Sequence, residues 1–346
     1  MSVEQLEQLR KQKLSECRKN NFLYIILAAL GVGGVLFFFK MFHPILIFIL
    51  FILRIPFSIM NEKKKAEYKK KFMDSLLPVA VGSILSDVRF EGDRGISRDL
   101  IRMTNSMSTG DIFSSSNYVK GVYKDIKVEM SDVHIQTEST DSEGHTTYYT
   151  IFRGQWMIFD FNKYFKSNIQ VWEKSTFGGI SKTWNKSLKK VELEDISFNK
   201  KFKVLSENDL DAFYILTPKL MERITQVEAA IKGTLMMVFL DNKLHVAVYN
   251  NRTTFNLNIR KPVDFNKFAA DTLRDLDAII KFVDILELDN DLFKTSYDVT
   301  NTTVKQEVVT SVPVDNNRVV NSNDVNNNGI PDNVNVVDYF NSINKQ

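Results

Sequence analysis

Two apolar runs near the N-terminus constrain this chain more than any other feature. Residues 22–39 read FLYIILAALGVGGVLFFF, eighteen residues without a charge. At 1.5 Å per residue such a helix is about 27 Å long, close to the roughly 30 Å hydrocarbon core of a bilayer. A second run, PILIFILFILRIPFSIM, covers residues 44–60 and carries one charge, Arg54, near its C-terminal end. A cation at mid-bilayer costs at least about 2.5 kcal/mol, but near the end of a span a long arginine reaches the headgroups. Only Lys40, Met41, Phe42 and His43 separate the runs, so the expectation is an antiparallel transmembrane hairpin over 22–61, with helices at about 22–39 and 44–60.

Two plainer readings fit less well. A cleaved signal peptide has a shorter apolar stretch and a small-residue cleavage site, and a second apolar run does not follow it at once. Buried core helices have an amphipathic period, whereas these runs are apolar on every face. Ala29 and Gly33 have the small-xxx-small spacing that permits close helix contact, but glycine is common in such helices and implies no specific dimer.

The flanks set the orientation. Arg10, Lys11, Lys13, Arg18 and Lys19 precede the hairpin, and Lys63, Lys64, Lys65, Lys69, Lys70 and Lys71 follow it. Lysine and arginine are retained on the cytoplasmic side. Both termini are therefore expected in the cytoplasm, with the short turn outside. These basic clusters also suit the anionic surface of a lipid bilayer, the first expected partner, although setting topology is the larger part of their role. The net charge of +3 provides no global field for nucleic acid, which is not expected as a partner. Cys17 is the only cysteine, so no intramolecular disulfide or CxxC metal site exists. Inertness is its simplest reading, with acylation the alternative.

After a basic N-terminus (1–21) and the hairpin, residues 62–295 read as one cytoplasmic α+β domain with antiparallel strands. Phe72, Leu76 and Leu77 share a helical face that Pro78 kinks or ends. Ser97 caps a short helix. Ile126, Val128 and Met130 alternate as on a half-buried strand, and Val133 and Ile135 resume on shifted parity, which suggests a bulge near Ser131. TDSEGHT is a hairpin loop, and YYTIFRGQWMIFDFNKYF reads as a central strand covered on both faces. NIQVWEK and KKVELEDISFNKKFKVL add strands or extended turns. Ser206 and Asp209 have capping-box spacing. Thr217-Pro218 opens a helix that Gly233 closes, and TLMMVFLDNKLHVAVYNN reads as a hairpin around Asp241-Asn242. From Asp264, the residues Phe265, Phe268, Ala269, Leu273, Leu276, Ile280 and Val283 form one apolar stripe. Residues 296–346 are asparagine-rich without period, and a flexible tail is expected.

Signatures of chemistry are scarce. The sequence has no GxxxxGK[ST], HExxH or GxSxG. GVGG at 31–34 lies inside an apolar run and follows no strand. His43, His134, His145 and His245 lack metal-ligand spacing, and His134 and His245 read as satisfied structural histidines. Glu192, Glu194 and Asp195 place two carboxylates on one strand face, where a solvated edge is the simpler reading than a paired-carboxylate site. The two FNK pieces at 161–163 and 198–200 read as core aromatics with turn residues, with a shared binding groove the alternative.

YVKGVYKDIKVEMSDV, IFRGQWMIFDFNKYF, KKVELEDISFNKKFKVLSENDLDAFYILTPKLMERI and LMMVFLDNKLHVAVYNN resemble, in that order, an uncharacterised bacterial membrane protein family, domain of unknown function 3137, whose members are sometimes mislabelled galanin. Two membrane helices before the domain also resemble that family, and the resemblance covers about residues 20–293. It implies a bacterial inner-membrane location and, as a partner, a LemA-type membrane protein. It brings no activity, cofactor or site residue.

DVNNNGIPD in the tail holds the one candidate metal loop: Asp324, Asn326, Asn328 and Asp332 as calcium ligands, with Gly329 at the sharp turn. An EF-hand loop needs a bidentate glutamate where this chain has Asn335. The nearer likeness is to thrombospondin type 3 loops, and two carboxylates give only the weak affinity of extracellular modules, about 10⁻⁴–10⁻³ M. In a cytoplasmic tail it reads better as a polar turn, and no cofactor is expected. The expected function is a membrane-anchored cytoplasmic binding or scaffold protein; the alternative is a membrane-tethered enzyme whose site is assembled from residues distant in sequence.

Overall fold

The computed structural model describes residues 1–39, 45–82, 84–174 and 188–288. The chain divides into two units. One is Met1–Val79 with Asn256–Phe265; the other is Ala80–Phe255 together with the chain from Asn266.

Two helices of 37 residues dominate the first unit, α1 (Val3–Phe39) and α2 (Ile45–Val81). Each joins an apolar run to a charged segment without a break, so each is about 55 Å long. Side-chain pairs show that they run antiparallel. Lys13 meets Glu67 at 2.7 Å, Lys64 meets Glu16 at 3.2 Å, and the Tyr24 ring lies 5.8 Å from Phe57. Arg54 stacks over Tyr24, 5.3 Å from the ring centre, so its charge faces a π-system. Pro78 falls in the last turn of α2, which ends three residues later. Phe72, Leu76 and Leu77 are buried along that turn, the face their spacing predicts. Gly31, Gly33 and Gly34 have nothing among the described residues within 4 Å of where a Cβ would stand, so the small-residue spacing marks no close approach. Among the described residues no helix is long and apolar enough to cross a membrane. The turn of the expected hairpin (40–44) and the side chains on either side of it lie outside the described residues.

The second unit is mixed α+β around one antiparallel sheet. Its strands are β1 (Ser86–Glu91), β2 (Ile112–Tyr123), β3 (Ile126–Thr140), β4 (Thr146–Glu173), β5 (Lys189–Val191), β6 (Phe202–Ser206) and β7 (Thr234–Tyr249). They lie in the order β1-β2-β3-β4-β6-β5, and β7 also pairs with β4. The 28-residue β4 is the spine, since its first half pairs with β3 and its second with β6. NIQVWEK is therefore the continuation of the central strand and not a separate one. β7 follows β4 from Tyr249↔Gly154 to Met236↔Trp172, which corrects the hairpin expected around Asp241-Asn242. Asp241 does take a left-handed conformation (φ 54°), but the irregularity it marks is a bulge opposite 161–164.

The bulge expected near Ser131 lies on the partner strand. Asn117 and Tyr118 of β2 oppose Ser131 alone, between Ser116↔Asp132 and Val119↔Met130, and Asn117 has φ 57°. β3 itself stays in register with β4 there. The change of parity has another cause: both faces of the sheet are covered. Val133, Ile135, Phe152, Trp156 and Ile158 belong to one buried cluster. On the other face, Phe159 meets Phe282 of α7 (Phe265–Leu286) at 5.8 Å.

Short helices complete this unit. α3 (Arg98–Met103) is capped by Ser97, which accepts from the Leu100 N–H, as expected. α4 (Ile196–Lys201) occupies residues read as extended from sequence. α5 (Asp209–Ile215) is capped by Asn208 and not Ser206, whose hydroxyl sits two residues too early and instead donates to the Asn208 carbonyl at 2.8 Å. α6 (Pro218–Ala230) begins behind Thr217 with proline in its first turn. It ends before Gly233, whose positive φ (142°) belongs to the turn into β7. The buried face of α7 is Thr272, Leu276, Ile279, Phe282, Val283 and Leu286, so only the C-terminal half of the expected stripe is covered and Leu273 is exposed.

Candidate functional site

Asp324, Asn326, Asn328 and Asp332 lie outside the described residues, as does the whole of 289–346. Among the described residues no three of His, Cys, Asp and Glu are grouped to hold a metal ion.

The other sequence candidates resolve into structure. Asp195 is the N-cap of α4, accepting from the N–H groups of Ser197 and Phe198 at 2.8 and 3.0 Å. Glu192 pairs with Lys190, and Glu194 is exposed. β5 ends at Val191, so Glu192 and Glu194 share no strand face; both are exposed to solvent, the simpler of the two readings. His245 is buried and accepts from the Trp156 indole N–H at 3.4 Å; burial holds its pKa down at about 4. It is a neutral packing group. His134 is half-buried near Thr150, at 3.4 Å, and burial lowers its pKa as well. The FNK pieces fall in different elements, β4 and α4. Buried Asp132 accepts from Asn117 (2.7 Å) and from the N–H and hydroxyl of Thr254 (2.8 and 3.0 Å), so it pins the chain after β7. Burial raises its pKa against those bonds.

A polar concavity lies in the first unit. A cavity of about 370 Å³ is lined by Leu14, Cys17, Arg18, Asn21, Asn61, Lys65, Ile259 and Arg260. That volume is in the ordinary range for small-ligand sites, roughly 300–1,000 Å³. It sits where the basic flanks meet the apolar runs. Two amides line it, Asn21 and Asn61, and Asn61 donates to Asn21 at 2.9 Å; Asn20, beside them, donates to Asn61 at 3.0 Å. Cys17 is buried beside them, and burial pushes its thiol pKa up, so the thiolate is suppressed and the inert reading is supported.

One wall comes from residues 256–265, a segment far away in sequence. Glu7 and Arg10 clip it to α1. Arg10 donates to the Ile259 carbonyl at 2.9 Å, and the Val263 N–H donates to Glu7 at 3.1 Å. Arg10 also donates twice to Glu7, at 2.7 and 2.8 Å, and this pairing holds the Glu7 pKa down at about 2. The clip fixes Ile259 and carries Arg260 to the cavity. No periodicity marks 256–265, so sequence reading had no means of placing Arg260 beside Arg18 and Lys65. The cavity walls hold cations, amides, a thiol and aliphatic carbon. Among the described residues, no carboxylate or histidine lines it.

These features describe a two-helix antiparallel unit with a basic, amide-lined cavity, followed in the chain by an antiparallel-sheet α+β unit. Residues 150–288, from the middle of β4 to the end of α7, match the family described as "Protein of unknown function (DUF3137)", and the resemblance read from sequence is shown over that span. No curated protein matches the chain. Among solved structures, the mycobacterial trehalose monomycolate transport factor A, TtfA, is similar at 10% identity with a TM-score of 0.34, covering 60% of this chain and 91% of that one.

Proposed function

We propose that the chain is a two-span protein of the bacterial inner membrane, with both termini cytoplasmic, that binds or scaffolds another component at the membrane. The observation that carries the binding part is the lining of the cavity, which suits holding a group more than moving protons. The membrane part rests on the two uncharged runs and on the eleven lysines and arginines that flank them. A second feature suits binding: the β3–β4 hairpin is exposed from Glu138 through Thr150 and presents Tyr148 and Tyr149, each about half exposed. Amphipathic aromatic rings of this kind are enriched where proteins bind one another.

The test has two arms. An alkaline phosphatase fused after residue 293 is expected to be inactive and a fluorescent protein there fluorescent; an active phosphatase would place the domain outside. Capture from native membranes in mild detergent, comparing the natural chain with Tyr148→Ser/Tyr149→Ser, is expected to lose one specific membrane-protein component. Turnover of a small molecule by the purified chain, with no component lost, would favour the enzyme instead.

A further inference from the structure

We infer that the cavity between α1, α2 and residues 256–265 is a phosphate-recognition site that takes the headgroup of an anionic phospholipid. The proposal rests on the membrane-anchored reading for the source of its ligand, but not for the phosphate chemistry itself.

Three cations converge on one cavity from three segments: Arg18 from α1, Lys65 from α2 and Arg260 from the clipped segment. Lys65 is tied to Glu62 at 2.7 Å. Arg18 and Arg260 form no ion pair among the described residues, although carboxylates are plentiful along these helices and pair there with Lys11, Lys13, Lys64 and Lys71. Two guanidinium groups held at one cavity repel each other unless an anion lies between them. Guanidinium presents a planar fork of donors that fits phosphate oxygens two at a time. Asn21 and Asn61 add neutral amides at the floor, suited to the ester and glycerol oxygens of a headgroup.

Position selects the source. Asn21 immediately precedes the first apolar run at Phe22, and Asn61 immediately follows the second at Met60. The cavity therefore opens at the level where a bilayer containing those runs places its cytoplasmic phosphates. Leu14 and Ile259 supply an apolar flank for the start of an acyl chain.

The test uses the full-length chain in dodecyl maltoside and native mass spectrometry, with three probes: phosphatidylglycerol, phosphatidylcholine and inorganic phosphate. Each near-surface cation contributes about a fivefold factor to association with anionic lipid, so Arg18→Gln/Arg260→Gln is expected to lower phosphatidylglycerol retention roughly thirtyfold. Arg89→Gln/Lys127→Gln, the same change of charge on β1 and β3, is expected to change nothing. Arg260→Glu alone, a change in the 256–265 segment that leaves the sequence of both helices intact, reproduces the loss if the double variant is poorly folded. Phosphatidylglycerol retained over phosphatidylcholine, with this arginine dependence, supports the lipid source. Inorganic phosphate bound with the same dependence, and phosphatidylglycerol no better, supports the site and assigns a soluble phosphate. Equal phosphatidylglycerol retention by the natural chain and both arginine variants, with no phosphate bound, overturns the site. Alkaline carbonate extraction separates this from the anchor. A chain released by carbonate that still binds phosphate sinks the anchor and leaves the site; a chain that stays in the membrane with indifferent lipid retention does the reverse.

Discussion

The hydroxyl of Tyr68 in α2 is buried without a hydrogen-bond partner among the described residues, and burial pushes its pKa up to about 12. A buried donor left unmade costs about 1–3 kcal/mol. Tyr68→Phe keeps the ring and its packing on Phe72, 5.8 Å away, and removes the penalty. Thermal denaturation is expected to show a variant as stable as the natural chain or up to about 1 kcal/mol more stable; a loss beyond that would mean the hydroxyl has a partner. His245 makes the converse prediction. Its folded pKa, about 4, lies below the ordinary 6.5, so the unfolded chain binds a proton that the folded chain refuses. Stability therefore falls as pH drops from 6.5 towards 4, by on the order of 3 kcal/mol from this group. His245→Gln keeps an acceptor for Trp156 and cannot titrate, so its denaturation midpoint should be flatter over that window. An unchanged slope would show that other groups carry it.

At the scale of elements, β4 and β7 approach closely at Gly154. A Cβ at Gly154 would meet the Val248 carbonyl oxygen well inside contact distance. Gly154→Ala is expected to destabilise by about 1–3 kcal/mol, read from chemical denaturation, because backbone cannot yield as a side-chain tip does. Asp195→Ala removes the cap of α4 and should cost about 1 kcal/mol; a neutral result would return these residues to an extended reading. Sequence pattern found β4's apolar density, the caps at Ser97 and Thr217, and the loop at 141–145, because each depends on neighbours in the chain. It missed α4, whose six residues are too few to show a period. It split the spine and folded β7 into a hairpin, because Asp241-Asn242 spells a turn and the long partner strand that absorbs it lies about 80 residues earlier. It read the basic flanks as topology signals and did not see that two of those residues, with Arg260, line a cavity. That requires contacts between segments about 250 positions apart, as between Arg10 and Ile259 (249).

For the whole molecule, charge placement is the controlling property. Replacing Lys63, Lys64, Lys65, Lys69, Lys70 and Lys71 by glutamine removes more than half of the flanking positive charge. Phosphatase and fluorescent fusions after residue 293 are then expected to report a mixed orientation where the natural chain gives one. A single orientation in the variant would show that the N-terminal cluster suffices. The clip between Glu7 and Val263 bears on how such a chain is made. The two groups are 256 positions apart. At about 5–20 residues per second on the ribosome, the N-terminal helix waits roughly 13–50 s for the segment that closes its cavity. On the proposed two-span reading, Arg18, Asn21 and Asn61 stand open to fresh lipid during that interval. Closing the clip is then a late step in biogenesis, and a headgroup already in place would be enclosed rather than admitted.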